Sequence, residues 1–224
     1  MLEVEVLPDE EAAARRSAEV VAEAAADAIA ARGRFTFAVS GGRTPLAMFA
    51  ALRETLRWER IAVFQVDERV APEGDLDRNL THLLESLPPG AAAGVHPMPV
   101  GADDLEAAAA AYAAGLPEAF DLVHLGLGAD GHTASLVPGD PVLDVAARDV
   151  AVTGAYEGRR RMTLTYPVLN RARRVLWLVT GADKAEALRR LRAGDRSIPG
   201  GRVARERALV VADVAAAPPG PQGS

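Results

Sequence analysis

Residues 120–136 constrain this chain more than any other stretch. Residues 120–125 are a short apolar run that reads as a buried strand. Gly126-Leu127-Gly128-Ala129-Asp130-Gly131-His132-Thr133-Ala134-Ser135-Leu136 follows at once. Three glycines let a backbone turn sharply and come close to a ligand. Asp130 and His132 are then presented two residues apart, and an imidazole is a natural proton acceptor at working pH. A buried strand that ends in Gly, Asp and His marks the place where an open α/β sheet usually keeps its chemistry.

The same loop satisfies G-x-G-x-x-G through Gly126, Gly128 and Gly131, with Asp149 near the offset of a ribose-binding acid. Context excludes a dinucleotide site. Gly131 should open a long helix beneath a pyrophosphate, yet Pro138, Gly139 and Pro141 follow it. Asp130 would also set a negative charge beside the phosphates.

A chain of 224 residues is long enough for one large α/β domain, expected over residues 1–217. Residues 218–224, rich in Pro and Gly, are expected to be a disordered tail. The chain has no cysteine, which excludes disulfides and thiolate chemistry. No apolar run approaches a membrane span, and the acidic N-terminal residues do not suit a signal peptide, so a cytoplasmic location is the expectation. A net charge of −6 argues against a nucleic-acid partner. It also means that an anionic substrate needs a local basic pocket. Lys184 is the only lysine among many arginines, which points to a role for a compact ammonium.

Other strand ends carry candidate ligand contacts. Residues 8–31 read as a long amphipathic helix that stops at Gly33, and residues 35–39 as a strand. Ser40-Gly41-Gly42-Arg43-Thr44-Pro45 then leads into a helix, with Thr44 suited to cap it and Pro45 to its first turn. A Gly-Gly turn entering a helix offers N–H groups at the positive end of the dipole, which suits a phosphate. Residues 61–66 read as a strand ending in Asp67-Glu68-Arg69, on the same edge as Ser40–Thr44 if the strands are parallel. Residues 95–100, 150–153, 161–166, 175–180 and 208–211 read as further extended segments. Arg159, Arg160 and Arg161 read as a solvated turn. Lys184 falls in the first turn of a helix, where the dipole disfavours a cation and a bound anion would compensate it.

The motifs occur in one order: Ser40 to Pro45, Asp67-Glu68-Arg69 with Asn79 downstream, residues 126–138, Arg161-Met162-Thr163-Leu164-Thr165 with Pro167, Leu169 and Asn170, and Gly181 with Lys184. Together they resemble the bacterial-type 6-phosphogluconolactonase family, over roughly residues 5–217. Glucosamine-6-phosphate deaminases of the same superfamily share the Gly-Gly turn and the Asp-Gly-His element. In those the residues after the His read Ile-Ala-Phe-Asn-Glu-Pro-Gly, and the strand-end motif is Asp-Glu-Tyr. Here Val137 stands at the deaminase Glu position and Arg69 replaces Tyr, which favours the lactonase. Val137 in place of Phe and Arg78 in place of Ser depart from the lactonase pattern in the substrate loops.

The resemblance implies a Rossmann-like three-layer α/β/α fold with a mostly parallel sheet. It implies hydrolysis of 6-phospho-D-glucono-1,5-lactone to 6-phosphogluconate, with neither metal nor cofactor. His132 is then the general base, and Asp130 either orients it or binds a sugar hydroxyl. N–H groups of Gly126, Gly128 and Gly131 would hold the oxyanion. The phosphate would sit at Gly41, Gly42 and Thr44, with charge from Arg69 and Lys184. Arg43 helps or points to solvent, and Asn79 contacts the ligand. His82, His96 and His124 read as structural, with His124 packed within its strand. The rival readings are the deaminase and a non-catalytic sugar-phosphate sensor.

Overall fold

The structure is a computed structural model and describes residues 2–42 and 44–218. Arg43 and all but the first residue of the expected tail lie outside the described residues. β1 (Glu3–Leu7) leads into α1 (Glu10–Arg32). Local chemistry sets both ends of α1. The Asp9 carboxylate accepts the Ala12 N–H at 2.7 Å, a cap that contributes about 1 kcal/mol. Gly33 stops the helix with φ +78° and donates its N–H to the Ile29 carbonyl. The buried stripe includes Ala13, Ala14, Val21, Ala25 and Ala28, small residues that let the helix lie close to the sheet.

The chain continues through β2 (Phe35–Val39), α2 (Thr44–Leu52), β3 (Ile61–Gln65), β4 (Asp67–Arg69), α3 (Asn79–Ser86) and β5 (Val95–His96). Next come α4 (Leu105–Ala114), β6 (Leu122–Leu125), β7 (Val150–Val152) and β8 (Arg161–Leu164). Then α5 (Tyr166–Arg171), β9 (Val175–Val179), α6 (Ala185–Ala193) and β10 (Ala208–Asp213) complete it. Seven strands form one sheet in the order β1-β10-β9-β6-β2-β3-β5, and every neighbouring pair is parallel. Strands covered on both faces must be apolar throughout rather than alternating. All residues of β2, β6, β9 and β10 are accordingly buried.

Helices cover both faces, as the three-layer expectation requires. On one face Val20 and Val21 of α1 and Met48 and Phe49 of α2 pack with Phe35, Phe37, Leu176 and Leu178. On the other, Tyr112 of α4, Leu169 of α5 and Leu188 and Leu191 of α6 pack with Trp177 and Val210. No helix among the described residues is long and apolar enough to cross a membrane.

Two expectations are corrected. The extended segment at 95–100 is a strand only at Val95–His96, because Pro97 and Pro99 bring no N–H to a ladder. Asp67-Glu68-Arg69 does not finish a strand of the main sheet. It turns away as β4 and pairs antiparallel with β8, which pairs in turn with β7. A charged triplet cannot continue a strand buried on both faces, whereas a small sheet at the rim accommodates it. Glu68 is fully buried there. Its carboxylate accepts N–H groups of Arg69, Asn79 and Leu80 at 2.8, 2.8 and 2.9 Å, and the Gln65 amide at 2.9 Å. The Arg78 guanidinium lies 3.1 Å away. Glu68 therefore fastens the start of α3 to β4.

Candidate active site

The strand order reverses between β6 and β2, so the connections from their carboxyl ends diverge and leave a crevice. A cavity of about 240 Å³ opens there. Ser40, Gly41 and Gly42 enter it from the end of β2, and Gly126, Leu127, Gly128 and His132 from the end of β6. Thr180 and Lys184 enter from the end of β9, and Asp67, Arg69 and Arg161 from the small sheet. Segments remote in sequence meet because parallel strands deliver all their carboxyl ends to one edge.

The loop after β6 is a rigid mount for His132. The Gly128 N–H donates to the His132 carbonyl at 2.8 Å, and the Gly131 N–H to the Gly128 carbonyl at 2.9 Å. Asp130 Oδ1 accepts the His132 backbone N–H at 3.0 Å and the ring Nδ1–H at 2.6 Å. That bond selects the tautomer whose lone pair is on Nε2. Partial burial raises the Asp130 pKa, but the His132 bonds and charge outweigh it, so the carboxyl sits below its ordinary range. The Tyr156 ring meets His132 edge-on, with centroids 5.5 Å apart. Its hydroxyl donates to Asp130 Oδ2 at 3.4 Å. Asp130 does not line the cavity, and its two bonds hold the imidazole in this orientation.

The three glycines serve different ends. A Cβ on Gly126 would meet nothing within 4 Å, so its α-carbon faces open space in the cavity. A Cβ on Gly128 would lie 2.1 Å from His132 Nδ1. Gly131 has φ +83°, and a Cβ there would lie 2.6 Å from Ile198 Cβ, away from the cavity lining. The expectation that all three donate to an oxyanion is therefore corrected: the N–H groups of Gly128 and Gly131 are spent inside the loop. Asp149 is also removed from any ligand role, because Arg171 grips it through two bonds of 2.6 Å.

At the other end of the cavity, Gly42 has φ +101°, which only glycine adopts cheaply, and α2 starts at Thr44. Gly41 has no room for a side chain, since a Cβ would lie 2.1 Å from the Asn79 carboxamide. Asn79 lines the cavity, but its amide donates to the Asp67 carbonyl at 3.0 Å and its N–H to Glu68, so it also holds the rim together. Lys184 reaches the cavity with its ammonium 2.9 Å from the exposed Asp183. Arg69 donates to the Asp77 carbonyl at 2.8 Å.

Two cavity residues differ from the sequence reading, and a third goes beyond it. Arg161 reads both as the first residue of an extended segment and as the end of a solvated basic run, and the first reading holds. Arg161 is 4% exposed, lies 4.9 Å over the Tyr156 ring and pairs with Glu157 at 2.9 Å. The signal was the strand pattern of Arg161-Met162-Thr163-Leu164, which makes Arg161 the first residue of β8. His124 is buried, as expected, yet it also lines the cavity. Asp67 is buried, and burial raises its pKa even though Ser135 donates a hydroxyl to it at 2.6 Å. Three cations, Arg69, Arg161 and Lys184, thus gather in a chain of net charge −6, the local basic pocket that an anionic ligand needs. The remaining histidines do not line this cavity: His82 meets the Leu76 carbonyl at 2.8 Å, and His96 stacks on Phe64 at 4.2 Å.

The family described as glucosamine-6-phosphate isomerases/6-phosphogluconolactonase matches residues 8–211. The chain belongs to this family. A 6-phosphogluconolactonase of Synechocystis sp. is 42% identical over 202 residues, 83% of each chain. The crystal structure of a 6-phosphogluconolactonase from Shewanella baltica superposes with a TM-score of 0.86 at 23% identity, covering 95% of this chain and 98% of that one. A monomeric glucosamine-6-phosphate deaminase gives 0.84 at 20% identity, covering 96% and 99%. Lactonases and deaminases share this fold, so the side chains must separate the two chemistries.

Proposed function

We propose that this chain hydrolyses 6-phospho-D-glucono-1,5-lactone to 6-phosphogluconate, a step of the oxidative pentose phosphate pathway, with His132 as general base. One observation carries the reading: His132 faces the cavity with Nδ1–H held by the ionised Asp130, which leaves Nε2 as proton acceptor. Water attacks C1 and gives its proton to Nε2. The same proton passes to the ring oxygen as the C1–O bond breaks, and the imidazole returns to its starting state. Asp130 offsets the positive charge that His132 carries between the two transfers. The phosphate occupies the Gly41-Gly42 turn where α2 begins, with charge from Lys184 and Arg69, and Arg161 adds a third cation. Asp67 presents a buried acceptor to the sugar hydroxyls.

A positioned base contributes about 10²–10⁴-fold, so His132→Ala lowers kcat on that scale and leaves KM nearly unchanged. The assay follows acid release from freshly generated lactone against a blank without enzyme, because lactones open unaided. A wild-type rate equal to the blank would sink the activity, and an unimpaired His132→Ala would sink the base. The deaminase alternative lacks its acid here, because the buried, apolar Val137 holds that position. Ammonia release from glucosamine 6-phosphate would reveal it.

A further inference from the structure

Among the described residues, nothing around His124 calls for a histidine. It sits in the middle of the sheet and is 1% exposed. Its register neighbours are Val39 on β2 and Leu176 on β9, both apolar and buried. Neither ring nitrogen has a hydrogen-bond partner among the described residues. A buried imidazole without partners destabilises a fold, and an apolar side chain of similar shape would pack there without that cost.

The ring's position says what it could meet. His124 lines the cavity. Its carbonyl accepts both the backbone N–H and the hydroxyl of Ser40, at 3.2 and 3.1 Å, which ties it to the Gly41-Gly42 turn. Side chains alternate along a strand. Leu122 therefore shares the His124 face, and Leu122 packs with Val39, Met48 and Leu178 on the α1–α2 side. Leu125, Leu127 and Leu136, which flank the His132 loop, pack on the opposite side. The ring thus lies at the end of the cavity where α2 begins, away from the general base.

We propose that His124 forms the floor of the phosphate end of the cavity and donates a ring N–H to a phosphoryl oxygen of the substrate. The proposal rests on the sugar-phosphate reading above and adds a residue to it. Burial alone lowers the pKa of the ring to about 4, so the imidazole is neutral and offers one donor and one acceptor. A phosphate takes the donor and thereby selects the tautomer.

The test compares wild type, His124→Leu and His124→Gln in three readings: kcat, KM, and competitive inhibition by inorganic phosphate, with phosphate binding also measured directly by calorimetry. Leu keeps the volume and removes the donor, so the variant folds with a thermal midpoint at or above that of wild type. Its KM and its inhibition constant for phosphate both rise on the order of 10- to 100-fold, the span of a hydrogen bond to a charged group, while kcat stays within about twofold. Gln, which keeps a donor, recovers part of the loss. A His124→Leu protein that binds phosphate as tightly as wild type overturns the proposal. So does a fall in kcat with KM unchanged, which would put the ring at the reacting end. If wild type binds phosphate but hydrolyses no lactone, the activity reading fails, and the calorimetric comparison still decides the role of His124. If His124→Leu fails to fold, His124→Gln decides alone: phosphate affinity intermediate between wild type and none supports the contact, and unchanged affinity overturns it.

Discussion

Gly128→Ala tests the mounting of the base without touching the base itself. A Cβ at Gly128 would lie 2.1 Å from His132 Nδ1, 2.3 Å from Cε1 and 2.7 Å from Asp130 Oδ1. Real Cβ atoms essentially never approach a neighbour closer than 3.0 Å, so the ring must retreat by about 0.9 Å. Displacement on that scale costs about 10² in rate when a reacting group must stay aligned. It also pulls Nδ1 away from Asp130, so kcat should fall by about 10²-fold or more. Stability should not fall with it. Gly128 is not among the glycines with positive φ, so alanine can adopt its backbone and gains about 0.4–1 kcal/mol from a less flexible unfolded chain. His132 and Asp130 are 27% and 40% exposed in their side chains, so both can swing outward without opening the core. The assay pairs steady-state lactone hydrolysis with thermal unfolding. A control is Gly126→Ala, whose methyl meets no protein atom within 4 Å and projects into the cavity. It should fold normally and raise KM more than it lowers kcat. A Gly128→Ala enzyme with wild-type kcat would refute the packing argument, and with it the claim that His132 must stay where it is.

Three other outcomes follow from the same geometry. Asp130→Asn removes the charge behind the imidazole and should lower kcat by about 10²-fold with a smaller change in KM; equal kcat in steady-state assays would show that the 2.6 Å contact does no catalytic orienting. Glu68→Gln leaves the Arg78 guanidinium without its buried counter-charge and should cost about 3 kcal/mol. At 2–4 °C per kcal/mol for a chain of this size, the midpoint of a thermal melt drops by about 6–12 °C; a shift under about 2 °C would contradict it. Burial holds folded His124 at about 4, below the ~6.5 of a free imidazole. The unfolded chain therefore takes up the proton first, and stability falls as pH drops from about 6.5 toward 4. His124→Leu should remove about 2–3 kcal/mol of that acid loss, read as a smaller difference between urea midpoints at pH 7 and pH 4.5.

Much of the site was legible because the relevant signals were local. The ends of α1 follow from Asp9 and Gly33, each acting on N–H or carbonyl groups within a turn of itself. The mount for His132 follows a strand whose apolar residues could only be buried, so the first polar groups after it had to emerge at the sheet edge. Lys184 stood out as the only lysine, and the cavity does receive it. What sequence missed was set by distant partners. β4 is three residues long, too short for any periodicity, and exists because β8 pairs with it. Arg161 reads as the end of a basic run until Tyr156 and the cavity wall close around it.

The glycine pattern shows why a motif cannot be read as one unit. Gly126, Gly128 and Gly131 satisfy a single spacing, but each is glycine for a different reason: open space toward the ligand, room for an imidazole, and a left-handed backbone against Ile198. Spacing records that side chains are absent, whereas packing supplies the cause. The same reasoning joins the buried charges. Asp67 and Arg161 lie in register two residues apart across β4 and β8, since Asp67 faces Thr163 and Arg69 faces Arg161. Neither charge would tolerate burial in an apolar core. Both are tolerable at the wall of a polar cavity, where each lowers the cost of the other. The small sheet thus places charge where the large sheet could not hold it.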